Sequence, residues 1–182
     1  MNEPYIPEWK PVIPARFQKA KYEDVPEDVR QAFEKIRETG RGLYIYGAVG
    51  TGKTHIAYTL YANSAEKAKI WARFINVTEL LRDMKTDFDR VEKHYPEEDL
   101  MTYKGILFLD DLGSEKLSDW VLETFYLIIN KRYNEMRPTI FTSNFRLPEL
   151  EKRIGDRIVS RIVEMCDRFE IKGQDRRLCA KK

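Results

Sequence analysis

Short apolar runs alternate along the chain with longer segments in which apolar residues recur every three or four positions. Such runs, bounded by turn residues, are typical of buried strands, and the longer spacing is typical of amphipathic helices. The predicted strands are 42–46, 70–77, 105–111, 138–144 and 168–172. The predicted helices are 27–38, 53–67, 78–95, 117–136 and 155–164. This alternation predicts an α/β fold, in which helices cover both faces of a parallel sheet.

Composition narrows the class of protein. The 182 residues are 42% hydrophobic and 34% charged, with a net charge of +2. The length suits one domain, and the small net charge excludes a globally basic DNA-coating protein while allowing a local basic stripe. No apolar run approaches a membrane span and no signal peptide is visible, so we expect a cytoplasmic protein without a membrane partner.

Proline placement divides the chain. Four of the eight prolines lie within residues 1–16, which we interpret as an extended lead-in or linker. Residues 17–178 then form the predicted domain, and 179–182 form a basic tail. A linker directly after the first residue suggests that a preceding domain is missing.

Residues 47–54 read GAVGTGKT, which fits the G-x-x-x-x-G-K-[ST] pattern of a phosphate-binding loop. Glycines let several backbone N–H groups point at one phosphate, Lys53 reaches the β- and γ-phosphates, and the Thr54 hydroxyl ligates Mg²⁺. A glycine turn that merely joins strand to helix is the alternative, and the four fixed positions argue against it. The predicted nucleotide-binding residues are Gly47, Ala48, Val49, Gly50, Thr51, Gly52, Lys53, Thr54 and His55.

Polar residues follow two of the predicted strands. The run ILFLDD ends in Asp110 and Asp111, and TIFTSN ends in Asn144. Asp110 is predicted to hold Mg²⁺, and Asp111 to orient or deprotonate the attacking water, with Asn144 hydrogen-bonding that water. The alternative for Asp111 is a turn cap, because DDLG is also good turn chemistry.

The base is predicted to be adenine. Guanine-specific proteins with this loop commonly carry N-K-x-D, and the nearest string here, NKRY at 130–133, lacks the aspartate and lies within a predicted helix. ATP is therefore favoured.

Two arginines lie four residues apart on the helix 155–164, so Arg157 and Arg161 share one helix face. An isolated pair of this kind is usually a solvated basic face. After a phosphate-binding loop and the two polar strand ends, Arg161 is instead a candidate arginine finger that enters a neighbouring subunit's ATP site.

The strings GAVGTGKT, LDDLG, RPTIFTSN and GDRIVSRI, in this order, resemble an AAA+ ATPase of the bacterial replicative helicase loader family, the DnaC/DnaI type related to DnaA. With IPARFQKAKYEDV, the resemblance covers roughly residues 13–178. It implies the sheet order 5-1-4-3-2, and too few residues follow the last predicted strand for a lid domain. Lys53 and Thr54 match Walker A, Asp110 and Asp111 match Walker B, Asn144 matches sensor 1, and Arg161 matches the arginine finger, with Arg157 as a supporting arginine.

The resemblance also implies a function. It implies binding of ATP or ADP with Mg²⁺, slow hydrolysis stimulated by assembly or DNA, and ATP-dependent assembly into a helical oligomer. The implied partners are single-stranded DNA, the replicative helicase, contacted through a missing N-terminal domain, and the initiator ATPase. Three alternatives stay open: an IstB-type transposition helper ATPase, a P-loop small-molecule kinase, and a nucleotide-binding scaffold without turnover.

Two further segments are candidates for contact with DNA. The helix 78–95 matches an extra helix of the loader family, or is an ordinary amphipathic helix packed on the sheet. Its candidate DNA-contacting residues are Arg82, Lys85, Arg90, Lys93 and Tyr95, and the basic tail is equally eligible. The aromatic residues Trp120, Phe125, Tyr126 and Tyr133 have helical spacing and are predicted to lie in the core.

Overall fold

The computed structural model describes residues 11–80, 96–114 and 118–175. The strands are β1 (Gly42–Tyr46), β2 (Ala72–Asn76), β3 (Ile106–Leu112), β4 (Thr139–Ser143) and β5 (Cys166–Glu170). All four strand pairings are parallel, in the spatial order β2-β3-β4-β1-β5. Read from the other edge, this is the order 5-1-4-3-2, so the predicted fold class and strand order are confirmed.

The helices cover both faces of this sheet. The α-helices with described ends are α1 (Glu27–Glu34), α2 (Ile36–Thr39), α3 (Lys53–Ala62), α4 (Pro96–Thr102), α5 (Asp119–Asn134), α6 (Leu147–Ile154) and α7 (Asp156–Met165). A 3-10 turn spans Ala15–Phe17, and a π-helical turn spans Ser64–Ala68. Within the described ranges, every helix is too short or too polar to cross a lipid bilayer.

Alternating side chains of the strands fill two separate cores. On β1, Leu43 and Ile45 pack with α1 and α3, whereas Tyr44 packs on the opposite face with α5, α6 and α7. On β3, Ile106 and Phe108 belong to the first core, and Leu107 and Leu109 to the second. Because both faces of the sheet are buried at its centre, β1 and the first four residues of β3 appear in the sequence as continuous apolar runs.

Several predicted boundaries were wrong. The predicted helix 27–38 is divided at Lys35, and the predicted helix 53–67 ends at Ala62 before the π-helical turn. Strand β5 begins at Cys166 rather than at 168, because α7 ends directly before it and Cys166 pairs with Gly42 of β1. The start of this strand is set by its pairing with a strand that is distant in the sequence, and a local sequence pattern cannot show that pairing.

Helices α4 and α6 were not predicted. Residues 77–80 are helical, but the rest of the predicted helix 78–95, including its five candidate DNA-contacting residues, lies outside the described residues. Residues 1–10 and 176–182, which hold most of the lead-in and the basic tail, also lie outside them.

The predicted aromatic core is only partly confirmed. Phe125 is buried, but Trp120 in the first turn of α5 is 39% exposed. Tyr126 and Tyr133 are half-buried and pack against the core, and Tyr126 also contacts two arginines.

Candidate functional site

A cavity of about 570 Å³ lies where the carboxyl ends of β1, β3 and β4 meet. This edge is where ligands bind in open parallel α/β sheets. The residues that line the cavity are Arg16, Phe17, Val49, Gly50, Gly52, Lys53, Thr54, His55, Asn76, Asp110, Asp111, Thr142 and Asn144. The structure therefore brings most of the predicted nucleotide-binding loop together with both aspartates and the asparagine.

The loop between β1 and α3 has the backbone geometry of an anion cradle. Gly50 has φ +80° and Gly52 has φ +102°, which are left-handed conformations that side chains other than glycine rarely adopt. A Cβ atom on Gly50 would also lie 2.0 Å from a carboxylate oxygen of Asp175. Helix α3 begins at Lys53, so its positive N-terminal end adjoins the loop and favours a bound phosphate.

Lys53 is buried within this loop. Its Nζ donates hydrogen bonds to the backbone oxygens of Gly47 at 2.9 Å and Ala48 at 2.8 Å. These bonds hold the ammonium group across the start of the loop, where it lines the cavity. A buried cation at this position supplies the charge that a polyphosphate needs.

Asp110 is a buried carboxylate, and hydroxyl groups donate to both of its oxygens. Thr54 Oγ1 donates to Oδ2 at 3.3 Å, and Thr142 Oγ1 donates to Oδ1 at 2.5 Å. Burial raises the pKa of Asp110; the two hydroxyls and Lys53 act to lower it, while the Asp111 charge acts to raise it. A desolvated carboxylate beside a threonine hydroxyl is a hard-oxygen donor set that fits Mg²⁺.

Asp111 lies at an irregularity in the sheet. The pairing of β3 with β4 shifts register between Leu109 and Leu112, and Asp111 has φ +63°. Its carboxylate Oδ1 accepts hydrogen bonds from Asn144 Nδ2 at 2.9 Å and from Ser114 Oγ at 2.5 Å. The bulge directs this side chain into the cavity. The Ser114 bond is a contact within the turn, which agrees with the turn cap predicted as the alternative role of Asp111.

The two predicted arginines lie elsewhere. Arg157 and Arg161 are both on α7, as predicted, but neither lines the cavity. Arg157 instead lines a second cavity of about 400 Å³, beside Tyr126 and Leu127 of α5. Neither arginine contributes to this chain's own nucleotide pocket.

Four pocket residues were not predicted as site residues. Thr142 and Asn76 are polar residues at the carboxyl ends of strands, the same signal that identified Asn144. Arg16 and Phe17 come from the boundary of the predicted lead-in, where no periodic pattern marks a function. Their position depends on tertiary packing.

A phosphate-binding loop after β1, two aspartates at the end of β3 and an asparagine after β4, in this strand order, define an ATP-binding AAA+ core. The model of the IstB-like ATP binding protein family matches residues 32–182, and the chain belongs to that family.

Individual proteins that are similar to this chain support the same class of protein. The replicative helicase loader DnaI of Bacillus subtilis (strain 168) is 29% identical over 168 residues, which are 83% of this chain and 53% of DnaI. A crystal structure of the DnaC helicase loader has 31% identity and a TM-score of 0.73, covering 87% of this chain and 100% of that one. The initiator DnaA of Leptospira biflexa serovar Patoc is 28% identical over 131 residues, which are 66% of this chain and 28% of DnaA. The predicted relationship to the DnaC/DnaI loaders and to DnaA is therefore confirmed.

The chain spans about half the length of the curated relatives it matches, between 44% and 62% for the first three. The comparisons therefore concern only part of each of those proteins.

Proposed function

We propose that this chain is the ATPase domain of a helicase loader. It binds ATP with Mg²⁺, assembles with further copies when ATP is bound, binds single-stranded DNA and helps deliver a replicative helicase in replication initiation. The observation that carries the proposal is that the predicted catalytic residues lie in two separate places. The loop, Asp110, Asp111 and Asn144 share one pocket, while Arg161 lies outside it.

Each pocket residue has a proposed role. The loop N–H groups and Lys53 bind the phosphates, and Thr54 with Asp110 would hold Mg²⁺, which when bound neutralises phosphate charge. Asp111 orients the attacking water, and Asn144 holds the Asp111 carboxylate in place by its 2.9 Å hydrogen bond. The names of DnaI and DnaC, both helicase loaders, support the assignment of the domain.

Arg161 completes the site of a neighbouring copy. Because it lies outside its own pocket, it acts on ATP bound by the next subunit, and ATP thereby joins the two subunits. An arginine finger supplied in trans is worth about 10³–10⁵ in rate, so an isolated monomer hydrolyses ATP very slowly. Hydrolysis removes the γ-phosphate contact and loosens the assembly, which makes the domain a switch.

The test is binding of a fluorescent single-stranded oligonucleotide, followed by anisotropy. Binding is measured with a non-hydrolysable ATP analogue and with ADP, for the unmodified chain and for Arg161→Ala, with duplex DNA as the comparison. We expect single-strand-selective binding with the analogue that weakens with ADP and is lost in Arg161→Ala. Absence of DNA binding in both nucleotide states would contradict the proposal and favour a small-molecule kinase or a scaffold.

A transposition helper is the second candidate, because the matching family model is that of the IstB-like proteins. The two candidates differ in the protein that receives the assembled ATPase. A loader accelerates deposition of a replicative helicase on single-stranded DNA, whereas a transposition helper stimulates strand transfer by its transposase. Stimulation of strand transfer without helicase deposition would favour the second candidate.

A further inference from the structure

The Arg161 guanidinium is held by three hydrogen bonds, one from each nitrogen. Nε donates to Asn130 Oδ1 at 2.7 Å, Nη1 donates to the Arg157 backbone oxygen at 2.8 Å, and Nη2 donates to the Tyr126 hydroxyl at 2.9 Å. A guanidinium carries five N–H groups, so these bonds leave one N–H on each terminal nitrogen. That remaining pair suits an oxyanion.

Helix α5 supplies the side-chain part of this support. Tyr126 and Asn130 are four residues apart and therefore share a face, as Arg157 and Arg161 do on α7. The Tyr126 ring lies 4.3 Å from the Arg157 guanidinium carbon and 4.6 Å from that of Arg161. One aromatic ring thus contacts both cations.

In the part of the chain that the structure describes, neither guanidinium forms an ion pair with a carboxylate. The two guanidinium groups lie against one ring and repel each other, and the groups that accept hydrogen bonds from Arg161 are an uncharged amide, a phenol and a backbone carbonyl. The arrangement therefore favours an anion brought from outside.

We propose that Asn130 and Tyr126 are positioning residues for Arg161, which they hold in the orientation that meets the nucleotide of a neighbouring copy. The inference rests on the proposed function, because Arg161 has this role only if it acts in trans. An unrestrained arginine side chain loses rotamer entropy when it is fixed in one orientation. Holding it before the subunits meet removes most of that loss, which corresponds to about 10-fold in the rate or affinity that depends on Arg161.

Mixed assemblies test this proposal. A Lys53→Ala chain lacks a working nucleotide site but donates its Arg161, and an Arg161→Ala chain binds ATP but donates no finger. We expect each variant alone to be nearly inactive and the mixture to recover ATPase activity. Asn130→Leu is then placed in the finger donor or, separately, in the nucleotide-binding partner.

We expect Asn130→Leu to lower the activity of the mixture about 10-fold in the finger donor and to have little effect in the nucleotide-binding partner. A merely structural role would lower activity equally in both places. The matched control is Asn134→Leu, the same substitution one turn later at an exposed position of α5, which should leave the mixture unchanged from either side.

Tyr126 gives a graded second measurement. In the finger donor, Tyr126→Phe removes only the hydroxyl bond, and Tyr126→Leu also removes the ring, so the loss should be larger for leucine. Equal activity of donors with and without Asn130→Leu or Tyr126→Leu would overturn the positioning role while leaving the finger in trans intact. Failure of the parent mixture to recover activity would instead overturn the proposed function together with this inference.

Discussion

The Thr142 hydroxyl donates a 2.5 Å hydrogen bond to Oδ1 of Asp110, although the two residues are 32 positions apart. The Thr142 hydroxyl oxygen in turn accepts a 2.9 Å hydrogen bond from the backbone N–H of Asp111. At the irregular end of β3, one side chain of β4 therefore replaces a backbone hydrogen bond of the sheet and also orients the carboxylate proposed to hold Mg²⁺.

Thr142→Val tests this relationship because valine keeps the shape and removes the hydroxyl. The buried Asp110 oxygen and the Asp111 N–H each lose a partner, so we expect a loss of about 1–3 kcal/mol in the free energy of unfolding, measured with urea. ATP hydrolysis by the assembled protein should also fall. Thr142→Ser retains the hydroxyl and should keep most of the stability and most of the ATP hydrolysis. A valine variant that is as stable and as active as the unmodified protein would contradict this role of the Thr142 hydroxyl.

Asp110→Asn should stabilise the nucleotide-free protein at neutral pH. Burial raises the pKa of Asp110, so the folded state binds more protons than the unfolded state between the two pKa values. The free energy of unfolding therefore decreases as the pH rises through that interval and stays lowered above it. The advantage of the asparagine variant should be larger at pH 7.5 than at pH 4.

Urea denaturation of both proteins at the two pH values measures that difference. Asp119→Asn removes an exposed carboxylate and is the control, for which we expect no comparable advantage. The same Asp110→Asn protein should lose Mg²⁺-dependent ATP hydrolysis. An advantage that is identical at pH 4 and pH 7.5 would show that burial of the charged carboxylate is not its source.

Lys53→Ala should weaken ATP binding by about 10- to 100-fold, since a hydrogen bond from a charged donor contributes about 1.5–3 kcal/mol. The measurement is titration of a fluorescent ATP analogue, together with the increase in melting temperature that saturating nucleotide produces. Lys152→Ala, at an exposed position of α6, removes the same charge and should bind normally. Unchanged affinity in Lys53→Ala would refute the assignment of the phosphate-binding loop.

Arg132→Met should destabilise the fold by about 3 kcal/mol or more without acting through the nucleotide site. This arginine is fully buried, and its guanidinium donates to Thr139 Oγ1 and to the backbone oxygens of Leu100, Tyr103, Gly105 and Pro138. Methionine removes all five of these hydrogen bonds. Lys131→Met, the exposed neighbour on α5, should change stability little, because its ion pair with Glu135 is at the surface.

Much of the fold and part of the candidate site follow from local sequence patterns. Strand β1 was predicted with its exact bounds, because GLYIY is an apolar run directly before a glycine turn. Spacing identified the phosphate-binding loop, and a carboxylate pair at the end of an apolar run identified Asp110 and Asp111. These features can be predicted because the spacing of buried residues and the local backbone conformation depend on residues that are close together in the sequence.

Contacts between residues that are far apart in the sequence could not be predicted from local patterns. The amino-acid sequence alone determined the α/β class, the phosphate-binding loop and the polar residues at the ends of strands. Packing determined that Thr142 reaches Asp110, that Arg16 and Phe17 line the pocket, and that Tyr126 and Asn130 hold Arg161, which lies 35 and 31 positions away. Such pairs depend on strand register and on how helices pack across the sheet, and these are set by the whole core rather than by any local run of residues.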